Sequence, residues 1–359
     1  MHIYEYLFTA IIIFAMLIAS STIVITISQP QTTITDKEQL KITAQKIMTQ
    51  LTLDPGDPPD WGSYASITPS DLTTFGLAKY GNSSREAYFL DPDKVQRLDS
   101  ANPLYIPPYI ALNLLNLATS YGITLDIYPT LDVEVTKTSP TADTYAVSVT
   151  TNDIAFPIAN ANVSARIFYY NSTSRQIEKT NLLVDQTTID GRKLFDFSTY
   201  FTGYTTELKV LSVTVDYYGI HIARTLSIGT GVAEAYLIGN NDIGNHLLLT
   251  QSHTLYNNQT SEITPRKMSW GYLIENVTSG LTQANDTMLD VDYVEPSATA
   301  VMAIMDSGAT LLLASRDTVL SYSSIPGLVS SPFSYSLERT VTIGDSSYII
   351  KLQIWRMSF

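Results

Sequence analysis

Asn162-Val-Ser-Ala-Arg-Ile-Phe-Tyr-Tyr170 puts Val163, Ala165, Ile167 and Tyr169 on one side of an extended chain, because neighbouring side chains of a strand point to opposite faces. Tyr145, Val147 and Val149 repeat the pattern upstream. Downstream, Thr188-Ile-Asp-Gly191 marks a turn before Lys193–Phe197, and further apolar runs follow at Leu208–Tyr217 and Ile220–Ile228. From about Ser139 such runs recur every ten to fifteen residues or so, which predicts short strands separated by turns. A β-sandwich needs this arrangement, since one face of each strand must bury against an opposing sheet.

The composition fits. The chain has 359 residues, 45% apolar and 15% charged, with 23 Tyr, and Ser and Thr make up roughly a fifth of it. That is enough apolar material for several cores and too little charge for disorder. A net charge of -13 repels phosphate backbones and excludes nucleic acid as an expected partner. No cysteine occurs, which removes disulfides, thiolate catalysis and zinc–thiolate sites together.

The stretch Asn152-Asp-Ile-Ala-Phe-Pro-Ile-Ala-Asn-Ala-Asn-Val-Ser-Ala-Arg-Ile167, followed by Thr188-Ile-Asp-Gly-Arg-Lys-Leu-Phe-Asp-Phe197, resembles bacterial and archaeal immunoglobulin-like surface domains. In that family a Pro-hydrophobic pair leads into an Asn-Ala-x-Val strand, and a later Asp-Gly turn precedes another strand. The resemblance implies a spacer or adhesive module over about 90 residues and carries over no catalytic residue.

At the amino terminus, Leu7–Ile27 is uncharged and ends at Gln29-Pro30. A helix of this length crosses a hydrocarbon layer of about 30 Å. Leu7, Ile12, Phe14, Leu17, Ile23 and Ile27 are its expected lipid- or subunit-facing residues. A cleaved signal peptide and a buried core helix are the alternatives, the first disfavoured because Met1–Glu5 carries no Lys or Arg. Lys37, Lys41 and Lys46 follow the run and favour a cytoplasmic carboxyl side, but Asp36 and Glu38 dilute that bias and the remaining composition is that of an extracellular protein. The expectation is a single pass with the bulk outside the cell. Leu40, Ala44, Ile47, Met48 and Leu51 then recur at spacings of three and four, which predicts an amphipathic stalk over 35–53 packed on the first folded unit.

Asp54-Pro-Gly-Asp-Pro-Pro-Asp-Trp61 ends the stalk. Its carboxylates Asp54, Asp57 and Asp60 read as turn residues, with calcium as the sharper alternative. Phe75–Ala78 and Ala87–Leu90 suggest a hairpin. Asp91-Pro92 caps a helix over 91–99, and Pro107–Tyr121 suggests a second, buried helix ended by Gly122. Ile123–Val135 alternates as one strand. Near the carboxyl end, Thr299–Met305 with Ala309–Ala314, and Leu337–Ile343 with Tyr348–Trp355, read as hairpins. The expected fold is mainly β with an N-terminal α segment. It comprises a transmembrane helix and stalk (1–53), a small α+β segment (54–135), an immunoglobulin-like β-sandwich (136–228) and a C-terminal β-rich domain (229–359).

No P-loop, dinucleotide fingerprint, GxSxG elbow or HExxH occurs, and His2, His221, His246 and His253 are scattered. Asp290 and Asp292 share a strand face, as an exposed acidic face or a carboxylate pair, and Asn240–Asn245 is an Asx-rich turn. No catalytic, cofactor-binding or metal set is assigned, and an enzyme is not expected. Glycosylation sequons begin at Asn82, Asn162, Asn171, Asn258, Asn276 and Asn285, all after the apolar run.

An apolar amino-terminal helix, an amphipathic continuation, a small α+β segment and β-domains together also resemble archaeal pilin-like surface proteins linked to type IV filament systems. The resemblance implies that Glu5 neutralises a neighbouring subunit's amino terminus during assembly; by depth alone, Glu5 reads as an interfacial charge. The expected function is that of a membrane-anchored extracellular structural or adhesive protein, with membrane or like subunits as partners of the helix. The alternative is an anchored receptor for a surface glycan or protein.

Overall fold

Strand pairing dominates the chain. The computed structural model describes residues 12–14, 16, 37–81, 87–118, 120–139, 141–152, 154–174, 176–201, 208–228, 231–240, 245–249, 264–269, 272–276, 283–285, 288–291, 300–305, 310–315, 319–325 and 334–357. Their regular structure is mostly β. Ile12, Ile13, Phe14 and Met16 are helical and exposed, whereas Glu5, Leu7, Leu17, Ile23 and Ile27 lie outside the described residues. Among the described residues no helix is long and apolar enough to cross a membrane.

The first unit begins with a helix over 37–53, a stretch free of Gly and Pro. It stops at Pro55 and Gly56, the latter at φ 81°, where the left-handed region suits glycine. Leu40, Ala44, Ile47, Met48 and Leu51 are buried, while Ile42 on the other side is 63% exposed. The stripe shares one core with Tyr348, Ile350, Leu352 and Ile354 of a five-stranded sheet. That sheet runs in the order Phe89–Leu90, Ser334–Ile343, Ser346–Arg356, Tyr121–Pro129, Leu320–Ser323. Arg339 Nη1 donates to Thr52 Oγ1 (2.9 Å) and Arg356 Nη2 to Gln39 Oε1 (3.0 Å), which pins the helix across the sheet. Strands Tyr121–Pro129 and Ser346–Arg356 pair antiparallel from Tyr121↔Arg356 to Pro129↔Tyr348. This sheet therefore draws on both the 54–135 and the 229–359 segments.

Two local expectations change. The helix expected over Pro107–Tyr121 is only Pro108–Leu114: Asn116 takes φ 57°, Leu117 N turns back to Leu112 O, and Tyr121-Gly122 already begin the next strand. The single strand expected over Ile123–Val135 is two, Tyr121–Pro129 and Leu131–Lys137, separated at Thr130, whose N and Oγ1 both donate to Ser347 O.

The second unit is a sandwich. One sheet holds Leu131–Lys137, Thr144–Thr151 and Arg192–Asp196. The other holds Ile220–Ser227, Lys209–Tyr217, Asn162–Asn171 and Gln176–Lys179, with Leu183–Gln186 also paired to Asn162–Asn171. Val133, Tyr145, Val147 and Val149 face Val163, Ala165, Ile167, Val213 and Val215 across the core. Asp143 ties the sheets together, accepting from Lys209 Nζ (2.7 Å) and Tyr145 OH (3.0 Å), with Lys137 Nζ at 3.6 Å.

The third unit contains a sheet of Val232–Glu234, Thr310–Ser315, Ala300–Met305, Thr264–Ser269 and Tyr272–Asn276, and another of Tyr236–Asn240, Asn245–Leu249, Met288–Val291 and Gln283–Asn285. It touches both other units. Ala300, Met302, Leu311 and Leu313 pack on Phe168, Tyr170 and Val210, so strand Asn162–Asn171 buries residues on both its faces. On the side of the first unit, Tyr236 OH donates to Asp99 Oδ2 (2.8 Å) and Leu237 N to Gln96 Oε1 (3.3 Å).

Candidate binding cleft

The Asp-Pro loop after the long helix is organised by side chains far along the chain. Asp54 Oδ1 accepts from Gly56 N (2.8 Å), and the Asp57 carboxylate accepts from the Thr73 hydroxyl, so these two acids serve local backbone and turn geometry. Asp57–Pro58 is cis. At the loop's centre stands the fully buried ammonium of Lys94, which donates to Pro55 O (2.9 Å), Pro59 O (2.6 Å) and Ala78 O (2.8 Å), with Asp91 at 3.9 Å. Arg97 does the same for the next stretch, donating to Trp61 O (2.7 Å), Ile67 O (2.6 Å) and Leu104 O (3.0 Å). Trp61 lies near both cations, its ring centre 5.9 Å from Lys94 Nζ and 5.3 Å from Arg97 Cζ. Burial lowers Lys94 to about 8 against the pull of Asp91, Asp60, Asp54 and Asp93, and lowers Arg97 to about 10. Buried cations need such partners, and backbone carbonyls supply them here.

Both cations stand on or just past the short helix Pro92–Gln96, which Asp91 caps by accepting from Asp93 N (2.9 Å). The chain just past this helix and the edge strand Leu320–Ser323 face one another. Between them lies a cleft of about 470 Å³, lined by Leu98, Asp99, Ser100, Tyr105, Leu320 and Ser321 among others. Asp99 is held from two sides: Oδ1 accepts from Ala101 N (2.9 Å) and Oδ2 from Tyr236 OH of the third unit. Tyr105 meets Tyr322 edge-on, ring centres 6.3 Å apart, and Tyr322 OH donates to Ile106 O (3.0 Å). Burial and the Asp99 charge push the Tyr105 phenol up; burial and the bond to Asp99 do the same to Tyr236. Both phenols therefore keep their protons at neutral pH. Ser321 Oγ donates to Asp126 Oδ1 (2.6 Å).

The residues singled out from sequence lie elsewhere. Asn162 is exposed, accepting from Gln186 Nε2 (2.9 Å), and Asn171 donates to Glu178 (2.8 Å). Asn276 and Asn285 are strand residues, and Asn82 and Asn258 lie outside the described residues. His221 Nδ1 lies 3.0 Å from Asp216 Oδ2 on the neighbouring strand. Asp290 pairs with Leu247 in its sheet, His246 lies in strand Asn245–Leu249, and Asp292 and His253 lie outside the described residues, as does the interior of the Asn240–Asn245 turn. Among the described residues no three His, Asp or Glu side chains are grouped to hold a metal ion. Sequence reading missed the cleft, because its walls are more than 200 residues apart and are brought together by the pairing of residues 124–127 with Leu320–Ser323 and by the contacts of Tyr322 with Tyr105 and Ile106.

No protein-family model matches the chain, and no curated protein matches it. Among solved structures it is similar to native alpha-2-macroglobulin from Escherichia coli, in a crystal structure spanning domains MG0-NIE-MG1, at 12% identity and a TM-score of 0.19. The match covers 52% of this chain and 64% of that one, so it spans less than two thirds of the solved chain.

Proposed function

We propose that this protein is a membrane-anchored extracellular protein with structural or adhesive work, of the pilin-like kind found in archaeal surface filaments. The observation that carries the reading is the uncharged run Leu7–Ile27, followed closely by a helix, 37–53, whose apolar stripe is built into a β-rich unit. A long greasy segment must lie in lipid or among like segments, because water solvates it poorly. The helix and sheet of the first unit would transmit load from that segment to the sandwich and the third unit. In a fibre, Glu5 would neutralise the amino terminus of an adjacent subunit. Lying in a bilayer, it would sit among headgroups. The reading assigns the protein no reaction.

Cell fractionation with mass spectrometry of the native amino terminus tests this. Intact protein is expected in the membrane fraction or in sheared surface fibres, and the two locations separate plain anchor from filament. Full-length protein, uncut and free in the cytosolic fraction, would sink the proposal. The cleft beside Asp99 favours a second reading, an anchored receptor that does not assemble.

A further inference from the structure

The cleft between Leu98–Ser100 and Leu320–Ser323 offers hydrogen-bond acceptors and a phenol, and among the described residues no cationic side chain lines it. Each Asp99 oxygen already accepts one bond, from Ala101 N or Tyr236 OH, so about half of its lone-pair positions remain. Ser321 gives its proton to Asp126, which leaves the Ser321 oxygen as an acceptor. Tyr105 is the phenol, half-buried and positioned by its edge contact with Tyr322. Such a lining suits a ligand that donates hydrogen bonds. A carboxylate, sulfate or phosphate would meet these acceptors with no cation among the described lining residues to offset them. The volume of about 470 Å³ falls within the range of about 300–1,000 Å³ usual for small-molecule sites, and Leu98 and Leu320 provide apolar floor.

We infer that this cleft binds the uncharged end of a glycan, one or two neutral sugar residues, whose hydroxyls donate to Asp99 and Ser321 while a C–H face rests against Tyr105. The inference names the ligand class of the adhesive and receptor readings and rests on them for its biological purpose; the binding itself does not require the anchor. Asp99 is gripped by Tyr236, so a bound sugar would also bear on the junction of the first and third units.

The test is retention of full-length protein on immobilised oligosaccharides ending in a neutral hexose, in an N-acetylhexosamine, or in a uronic or sialic acid. At least one neutral probe is expected to retain the protein, and the acidic probes are not. Asp99→Asn should weaken retention about tenfold, the effect of losing a charge-assisted bond. Ser100→Trp, a change at an exposed rim position that fills the cleft, should abolish retention with the melting temperature unchanged. Failure of every neutral probe, equal retention by acidic probes, or undiminished binding by Ser100→Trp would each overturn the inference. Protein that binds sugar but appears in neither membranes nor fibres would overturn the anchored reading alone, and protein that is anchored but binds no sugar would overturn the cleft alone.

Discussion

Lys94 shows how much of the first unit depends on one side chain. Its three carbonyl partners come from Pro55, Pro59 and Ala78, and without the ammonium they lose that donor, Ala78 O in a buried position and the other two in partly buried ones. Lys94→Met, which keeps much of the volume, should cost about 3–5 kcal/mol in denaturant unfolding, the scale of a broken buried ion site. Asp143 makes a pH-dependent case in the sandwich. Burial pushes its carboxyl up, but the bond and charge of Lys209, the Tyr145 hydroxyl and Lys137 outweigh that and hold it below its ordinary 3.8. The unfolded chain binds this proton more readily, so the stabilisation is whole above the unfolded value and is lost as pH falls through the lower folded one. Acid titration of wild type and Lys209→Met, from about pH 5 to pH 3, should show a shallower loss of stability in the variant; parallel curves would refute the assignment. Of these details the sequence shows only the turn character of Asp54, Asp57 and Asp60. A cation 35 or more residues away that bonds to Pro55 and Pro59 leaves no periodic or compositional trace.

At the scale of elements, periodicity carries most of the information where one face is wet. Leu40 to Leu51 at spacings of three and four mark the buried stripe of the long helix, and odd-numbered residues from Val163 to Ile167 mark the core side of their strand. Met48→Ala should therefore cost about 2–5 kcal/mol, while Ile42→Ala on the exposed side should stay within about 0.5 kcal/mol, both measured as shifts in unfolding midpoint. Equal effects would mean that the helix does not pack as described. Periodicity fails where both sides are dry. Phe168 and Tyr170 lie opposite the core residues of the sandwich yet are buried by the third unit, a fact that alternation alone cannot express. The helix after Pro107 is shorter than its apolar pattern for a related reason. Apolar residues on nearly every side hide where it ends, and the chain turns at Asn116 without a glycine to announce it.

For the whole molecule, sequence order and spatial order part company. Strand Ser346–Arg356 pairs with Tyr121–Pro129 on one side and Ser334–Ile343 on the other, while the sandwich core closes within residues 131–222. A chain truncated after residue 333 should lose the helix-backed sheet and keep the sandwich. Hydrogen exchange should then show amides of 37–129 unprotected and those of 144–217 still slow; protection surviving in both would contradict the sheet order. Pairing across more than two hundred positions is invisible to a reading that proceeds window by window, and the change of texture near Ser139 comes after the sandwich has begun, because Leu131–Lys137 is already one of its strands. The same closing strand imposes a schedule on synthesis. Residues 37–129 cannot finish folding until Ser346–Arg356 has been released, whereas the sandwich can fold while that strand is still being made. An exported chain of this design would thus present the helix over 37–53, with its greasy side unpaired, to whatever membrane or chaperone is at hand until that strand arrives.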